Sequence, residues 1–196
     1  MFKMNLENHV LVLPGLSGDS ERVKALLKNL NSPQLNFHLS TAANWNNFSE
    51  DIQAKINRIE SEVDELSEQG KVSIIGISGS GSLAGLVYLE REGEVERVIN
   101  VCGRLRPRGI PPLWLTSLRN PTFKKSVLAF QEREPELTES DRRKFLIFQA
   151  KFDELVPGST SYLKGAQIIH LSAVGHMCAI KSAFLEHGNQ MIDFLR

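Results

Sequence analysis

A serine hydroxyl is a weak nucleophile near neutral pH, and it becomes a strong one when a histidine takes its proton and an acid orients that histidine. Three residues of this 196-residue chain stand where those roles could be filled. Ser78 lies in Gly76-Ile77-Ser78-Gly79-Ser80, directly after the apolar run Val72 to Ile77, and follows the GxSxG pattern with serine in the last small position. A serine on a sharp strand-to-helix turn has a strained backbone, so the residues two away on either side must be small, as Gly76 and Ser80 are. The helix after the turn aims backbone N–H groups at the site, so the Gly79 amide can help stabilise an oxyanion. Asp153 follows the apolar run Phe145 to Ala150, and His176 follows the run Gln167 to Leu171. The chain order is therefore serine, acid, histidine.

Other chemistries can be read from the same residues. A P-loop needs a lysine at the end of the turn, and none is present. A dinucleotide fingerprint of the GxGxxA type fits Gly79 to Ala84, with a pyrophosphate on the following helix, and would make the chain a nucleotide-dependent oxidoreductase. The next strand ends Asn100-Val101-Cys102-Gly103 and offers no acid for a ribose, which weakens that fit. Ser80, flanked by Ser78 and Ser82, is a second candidate nucleophile; Ser78 is preferred because it directly follows the strand with Gly76 behind it. Asp153 could instead cap a turn, with Glu154 as the partner of the histidine. Cys178, two residues past His176, reads as core packing rather than a nucleophile or metal ligand, and no ligand cluster surrounds it. Of the other histidines, His9 opens a strand, His38 and His170 lie within strands, and His187 falls in the final helix.

Positioning these groups requires a scaffold, and the pattern supplies one. Short runs rich in Val, Ile and Leu alternate with amphipathic stretches, which predicts a parallel sheet with helices on both faces. Six strands are expected, at 9–13, 35–39, 72–77, 97–102, 145–150 and 167–171. Ile52, Ile56, Ile59, Val63 and Leu66 mark the clearest helix, with Ser49 as N-cap and Gly70 as its stop. Further helices are expected at 20–30, 82–92 and 179–195. From residue 103 to about 143 no strand is evident, and prolines at 107, 111, 112, 121 and 135 divide short helical pieces, which reads as a lid-like insertion. The chain is expected to form one domain, 1–196, around that insertion.

Composition narrows the function classes. Lys and Arg total 23 against 23 Asp and Glu, so no cationic excess suggests nucleic acid. The balance is uneven, because Arg104, Arg106, Arg108, Arg119, Lys124 and Lys125 give residues 103–131 a net +6 without an acid. That stretch is either a solvated lid surface or an attractor for an anionic substrate group. Its apolar residues Leu113, Trp114, Leu115 and Leu118 suggest an acyl-binding surface, so Trp114, Leu115 and Arg104 are the candidate substrate contacts. No apolar stretch reaches 18 residues and no signal-like leader precedes His9, so no membrane span and a cytoplasmic location are expected. Two distant cysteines with no CxxC pair agree with a reducing compartment.

The chain resembles the α/β-hydrolase superfamily in a compact form. The resemblance rests on His9-Val10-Leu11-Val12-Leu13-Pro14-Gly15-Leu16-Ser17-Gly18, on the turn at Ser78, on Asp153-Glu154-Leu155-Val156-Pro157 and on Gly175-His176. It implies a three-layer fold with a mainly parallel six-stranded sheet in order 2-1-3-4-5-6, and a short helical lid. It implies Ser78 as nucleophile, His176 as general base and then acid, Asp153 as the orienting carboxylate, and the Leu16 and Gly79 amides as the oxyanion hole. The implied reaction is hydrolysis of a small-molecule carboxylic ester, or else a thioester or amide, through an acyl-enzyme without metal or cofactor. A catalytically silent member that binds a ligand or partner is the alternative. Pro14 and Ile77 stand where the family commonly has histidine, and Ser80 where it has glycine.

Overall fold

The computed structural model describes residues 7–30, 32–47, 50–109, 112–116, 118 and 120–196. Its centre is a six-stranded parallel sheet in the order β2-β1-β3-β4-β5-β6. The strands are β1 (Glu7–Leu13), β2 (Leu35–Leu39), β3 (Gly70–Ile77), β4 (Val95–Val101), β5 (Phe145–Phe152) and β6 (Gln167–Val174). The expected strands and their order are all present. Consecutive residues Val10 to Leu13 are buried, as are Val72 to Ile77, because helices cover both faces and leave no polar side to alternate with.

Two apolar layers enclose the sheet. One is built with α2 (Ile52–Ser67), α3 (Gly81–Glu90) and α5 (Pro121–Arg133), through Ile59, Val63, Leu86, Val127 and Phe130. The other is built with α1 (Ser20–Leu27), α7 (His176–Leu185) and α8 (Gly188–Leu195), through Val23, Leu26, Phe184 and Met191. The expected helix at 179–195 is thus two helices, and it begins at His176 itself. His187 is the N-cap of α8 rather than an interior residue. Ser49 lies outside the described residues; α2 starts at Ile52, whose amide donates to the Asp51 carboxylate.

The segment 103–143 departs most from the expected lid. Its α5 is a layer of the core, with Phe123, Val127 and Phe130 on one helical face and all buried. Phe130 packs so closely on α3 that a Cβ on Gly85 would stand 2.4 Å from its ring. Asn120 joins α5 to the β2–α2 loop, accepting from the Phe123 amide and donating to Trp45 O at 3.0 Å. Within the segment, α4 (Leu113–Thr116) is a single turn on which Leu113 is buried while Trp114 and Leu115 are exposed, and α6 (Glu139–Arg142) is another, capped by Thr138.

Candidate active site

The carboxyl ends of β1, β3, β5 and β6 bring the candidate residues together. At the end of β3 the chain turns through Ser78–Ser80 into α3, and Ser78 takes φ +52°, a left-handed conformation that costs a non-glycine residue energy. Two glycines make the turn possible by close approach. A Cβ on Gly76 would stand 2.6 Å from Ser80 O, and one on Gly79 would stand 2.5 Å from Leu16 Cδ2. The β1 turn, from Gly15 to Gly18, therefore lies directly against the start of α3.

A chain of hydrogen bonds runs across the sheet edge. Ser78 Oγ is 2.7 Å from His176 Nε2, and His176 Nδ1 is 2.7 Å from Asp153 Oδ2. A carboxylate only accepts, so Nδ1 carries the hydrogen, and in neutral imidazole that leaves Nε2 to accept from the serine. The Asp153 side chain is fully buried, and its Oδ1 accepts the Leu155 and Val156 amides at 2.8 and 2.7 Å. Glu154 has a separate task, accepting the His176 backbone amide at 3.0 Å. Of the two acids, Asp153 bonds the ring and Glu154 bonds the main chain at the start of α7.

The two serine registers differ as sharply. Ser80 is completely buried; its hydroxyl donates to Pro14 O and accepts from Trp45 Nε1 at 2.8 Å. It braces the end of β1 and the Trp45 loop against the α3 turn, a role that glycine could not fill. The Trp45 loop is held in turn by the buried Lys55, whose ammonium donates to Asn44 O at 2.7 Å and to Glu50 at 2.9 Å. Only sequence-distant contacts reveal this brace, which is why the local pattern left Ser80 as a rival to Ser78.

A cavity of about 190 Å³ opens beside Ser78 and His176. Its walls come from the β1 turn, α1 and α7, with Leu16, Val23, Leu26, Ile77 and Ile180 among them and Leu155 and Met177 exposed at its edge. None of the described residues of 103–143 lines it. Trp114 and Leu115 are on α4, apart from this cavity. Arg104 is fully buried, with Nε donating to Arg106 O at 3.0 Å and Nη2 to Pro107 O at 3.1 Å. Arg106 is paired with the buried Glu134, which also accepts from Arg142 at 2.8 Å. Arg104 and Arg106 thus serve the interior of the segment, and Arg108, Lys124 and Lys125 are exposed but line no part of this cavity; Arg119 lies outside the described residues.

Two further expectations change. Cys178 is exposed rather than packed in the core, whereas Cys102 at the end of β4 is buried, and burial followed by the Asp153 charge pushes its thiol up to about 12. Over the glycine turn, Leu16 covers Gly79, and the side chain of Asn100 stands where a Cβ on Gly81 would lie. Both glycines are thereby packed against protein side chains. Among the described residues, no helix is long and apolar enough to cross a membrane.

No family model matches the chain, and no curated protein matches it. Solved structures do. A monoacylglycerol lipase from Paleococcus ferrophilus is 15% identical, with a TM-score of 0.68 over 97% of this chain and 95% of that one. A hydrolase from Oleispira antarctica is 17% identical, with a TM-score of 0.67 over 96% and 91%. A protein from Xanthomonas campestris assigned to the alpha/beta hydrolase superfamily is 14% identical, with a TM-score of 0.65 over 95% and 99%. At such identities the likeness speaks to architecture, and together with the strand order it establishes that this chain has the α/β-hydrolase fold.

Proposed function

We propose that the chain, acting as one domain over 1–196, is a serine hydrolase that cleaves a carboxylic ester through Ser78, His176 and Asp153. The observation that carries this reading is the pair of 2.7 Å hydrogen bonds linking the three side chains beside an apolar cavity. In this reaction His176 Nε2 takes the Ser78 proton as Oγ attacks the ester carbonyl, and then returns it to the departing alkoxide, leaving an acyl-serine and a free alcohol. A water deprotonated by the same nitrogen attacks the acyl-serine, releasing the carboxylic acid and restoring the hydroxyl. Asp153 stabilises the imidazolium that forms twice in this cycle. The Leu16 and Gly79 amides, on the two segments in contact beside Ser78, are the proposed donors to the oxyanion.

An ester is preferred over a thioester or amide because a lipase is among the proteins of similar architecture. The retention of Ser78 at φ +52° also favours turnover over silent ligand binding, since that strain has no other evident use in the turn. The test is hydrolysis of p-nitrophenyl butyrate. Ser78→Ala is expected to lower kcat by at least about 10⁴-fold, the scale on which such groups act as a unit. Equal rates for the variant and the parent chain would overturn the assignment.

A further inference from the structure

The cavity beside Ser78 is apolar along most of its wall and carries two charged residues of α1 and its cap. Leu16, Val23, Leu26, Ile77 and Ile180 supply hydrocarbon, whereas Asp19 and Arg22, at the start of α1, also line it. These two are not an even pair. Both oxygens of Asp19 are engaged: Oδ1 caps α1 by accepting the Arg22 amide at 3.0 Å, and Oδ2 meets Arg22 Nε at 3.2 Å. The guanidinium, about half exposed at 53%, has four further N–H donors on its terminal nitrogens. Among the described residues Asp19 is its one ion-pair partner.

We propose that this cavity takes a short acyl chain ending in a carboxylate, which the terminal nitrogens of Arg22 bind in the forked geometry that matches a carboxylate. The substrate class is then hemiesters of short dicarboxylic acids, and the inference rests on the reading of Ser78 as nucleophile. A chain that combines methylenes with a terminal carboxylate matches a wall that offers both hydrocarbon and a cation. At about 190 Å³ the cavity is smaller than the roughly 300–1,000 Å³ pockets that hold drug-sized ligands, which favours a short chain such as glutaryl. A neutral acyl chain of equal length would place a methyl group against the guanidinium and gain nothing from it.

The experiment compares kcat/KM for p-nitrophenyl hemiglutarate and p-nitrophenyl valerate, two esters with acyl chains of the same length. The hemiglutarate is expected to be favoured about tenfold, the scale of a hydrogen bond to a charged group. Arg22→Gln should abolish that preference. Asp19→Asn, which keeps a capping side chain but removes the competing charge, should increase it. Equal rates for the two esters, or a preference that survives Arg22→Gln, would overturn the inference while valerate hydrolysis left the Ser78 reading in place. Hydrolysis of neither ester would also overturn it, and if a fluorophosphonate probe then failed to label the protein, the Ser78 reading would fall as well.

Discussion

Residues 103–131 carry six cations and no acid, yet the described part of that stretch adds no side chain to the cavity beside Ser78. The α1 and α7 side, whose sequence shows no such concentration of charge, builds that cavity and supplies Arg22. What separates the two is where the cations end up. Arg104 and Arg106 are turned inward, onto backbone carbonyls and Glu134, and act as struts between β4, the residues before α4 and the chain after α5. Arg22 sits on the first turn of a short surface helix, where a half-exposed guanidinium can still meet a ligand. Net charge along a sequence segment is therefore a poor guide to potential at a site, because buried charges are compensated locally.

This contrast predicts that changes at the residues around the Ser78 cavity alter the reaction, whereas changes in the 103–143 segment alter stability. The largest effect is expected from Gly79→Ala. Its Cβ would drive into Leu16, displacing one proposed oxyanion donor, so kcat should fall by about 10²–10³, or about 2.7–4 kcal/mol, with a much smaller change in KM. Parallel losses in kcat and in urea-unfolding stability would point to misfolding instead. Next is Arg104→Met, which leaves the carbonyls of Arg106 and Pro107 buried without these donors. Unfolding stability should drop by about 1–3 kcal/mol, while the kcat/KM ratio between hemiglutarate and valerate esters stays put. A changed ratio would place Arg104 back at the substrate. The smallest effect belongs to Trp114→Ala, at a side chain 58% exposed and away from the cavity: a stability change within about 0.5 kcal/mol and kcat/KM within about twofold. A large loss of kcat/KM there would restore the expected acyl-binding role of α4.

The sheet was legible in the sequence because strands buried on both faces read as apolar runs, as Val10 to Leu13 does without a break and Val72 to Ile77 does with only Ser73 and Gly76 among its Val and Ile. Ser78, Asp153 and His176 stood out because each follows a strand-like segment, directly for Ser78 and within a few residues for the other two, and parallel strands deliver their carboxyl ends to one edge. The core role of α5 is hidden in the sequence although Phe123, Val127 and Phe130 recur at helical spacing, because Pro121 and Pro135 on either side read as breaks. The cavity wall was not legible at all. It depends on how α1 and α7 approach each other across the end of β1, and apolar residues such as Val23 and Ile180 carry no mark that separates a wall from a core. Ser80 shows the same limit, because its partners Pro14 and Trp45 are 66 and 35 residues away.

The central claim is that Ser78 is the nucleophile and that Ser80 is a buried brace. Fluorophosphonate labelling, followed by digestion and mass mapping of the adduct, tests it most directly. The adduct is expected on Ser78, with none on Ser80 and no labelling of Ser78→Ala. An adduct on any other residue, or an unlabelled parent chain, would contradict the account.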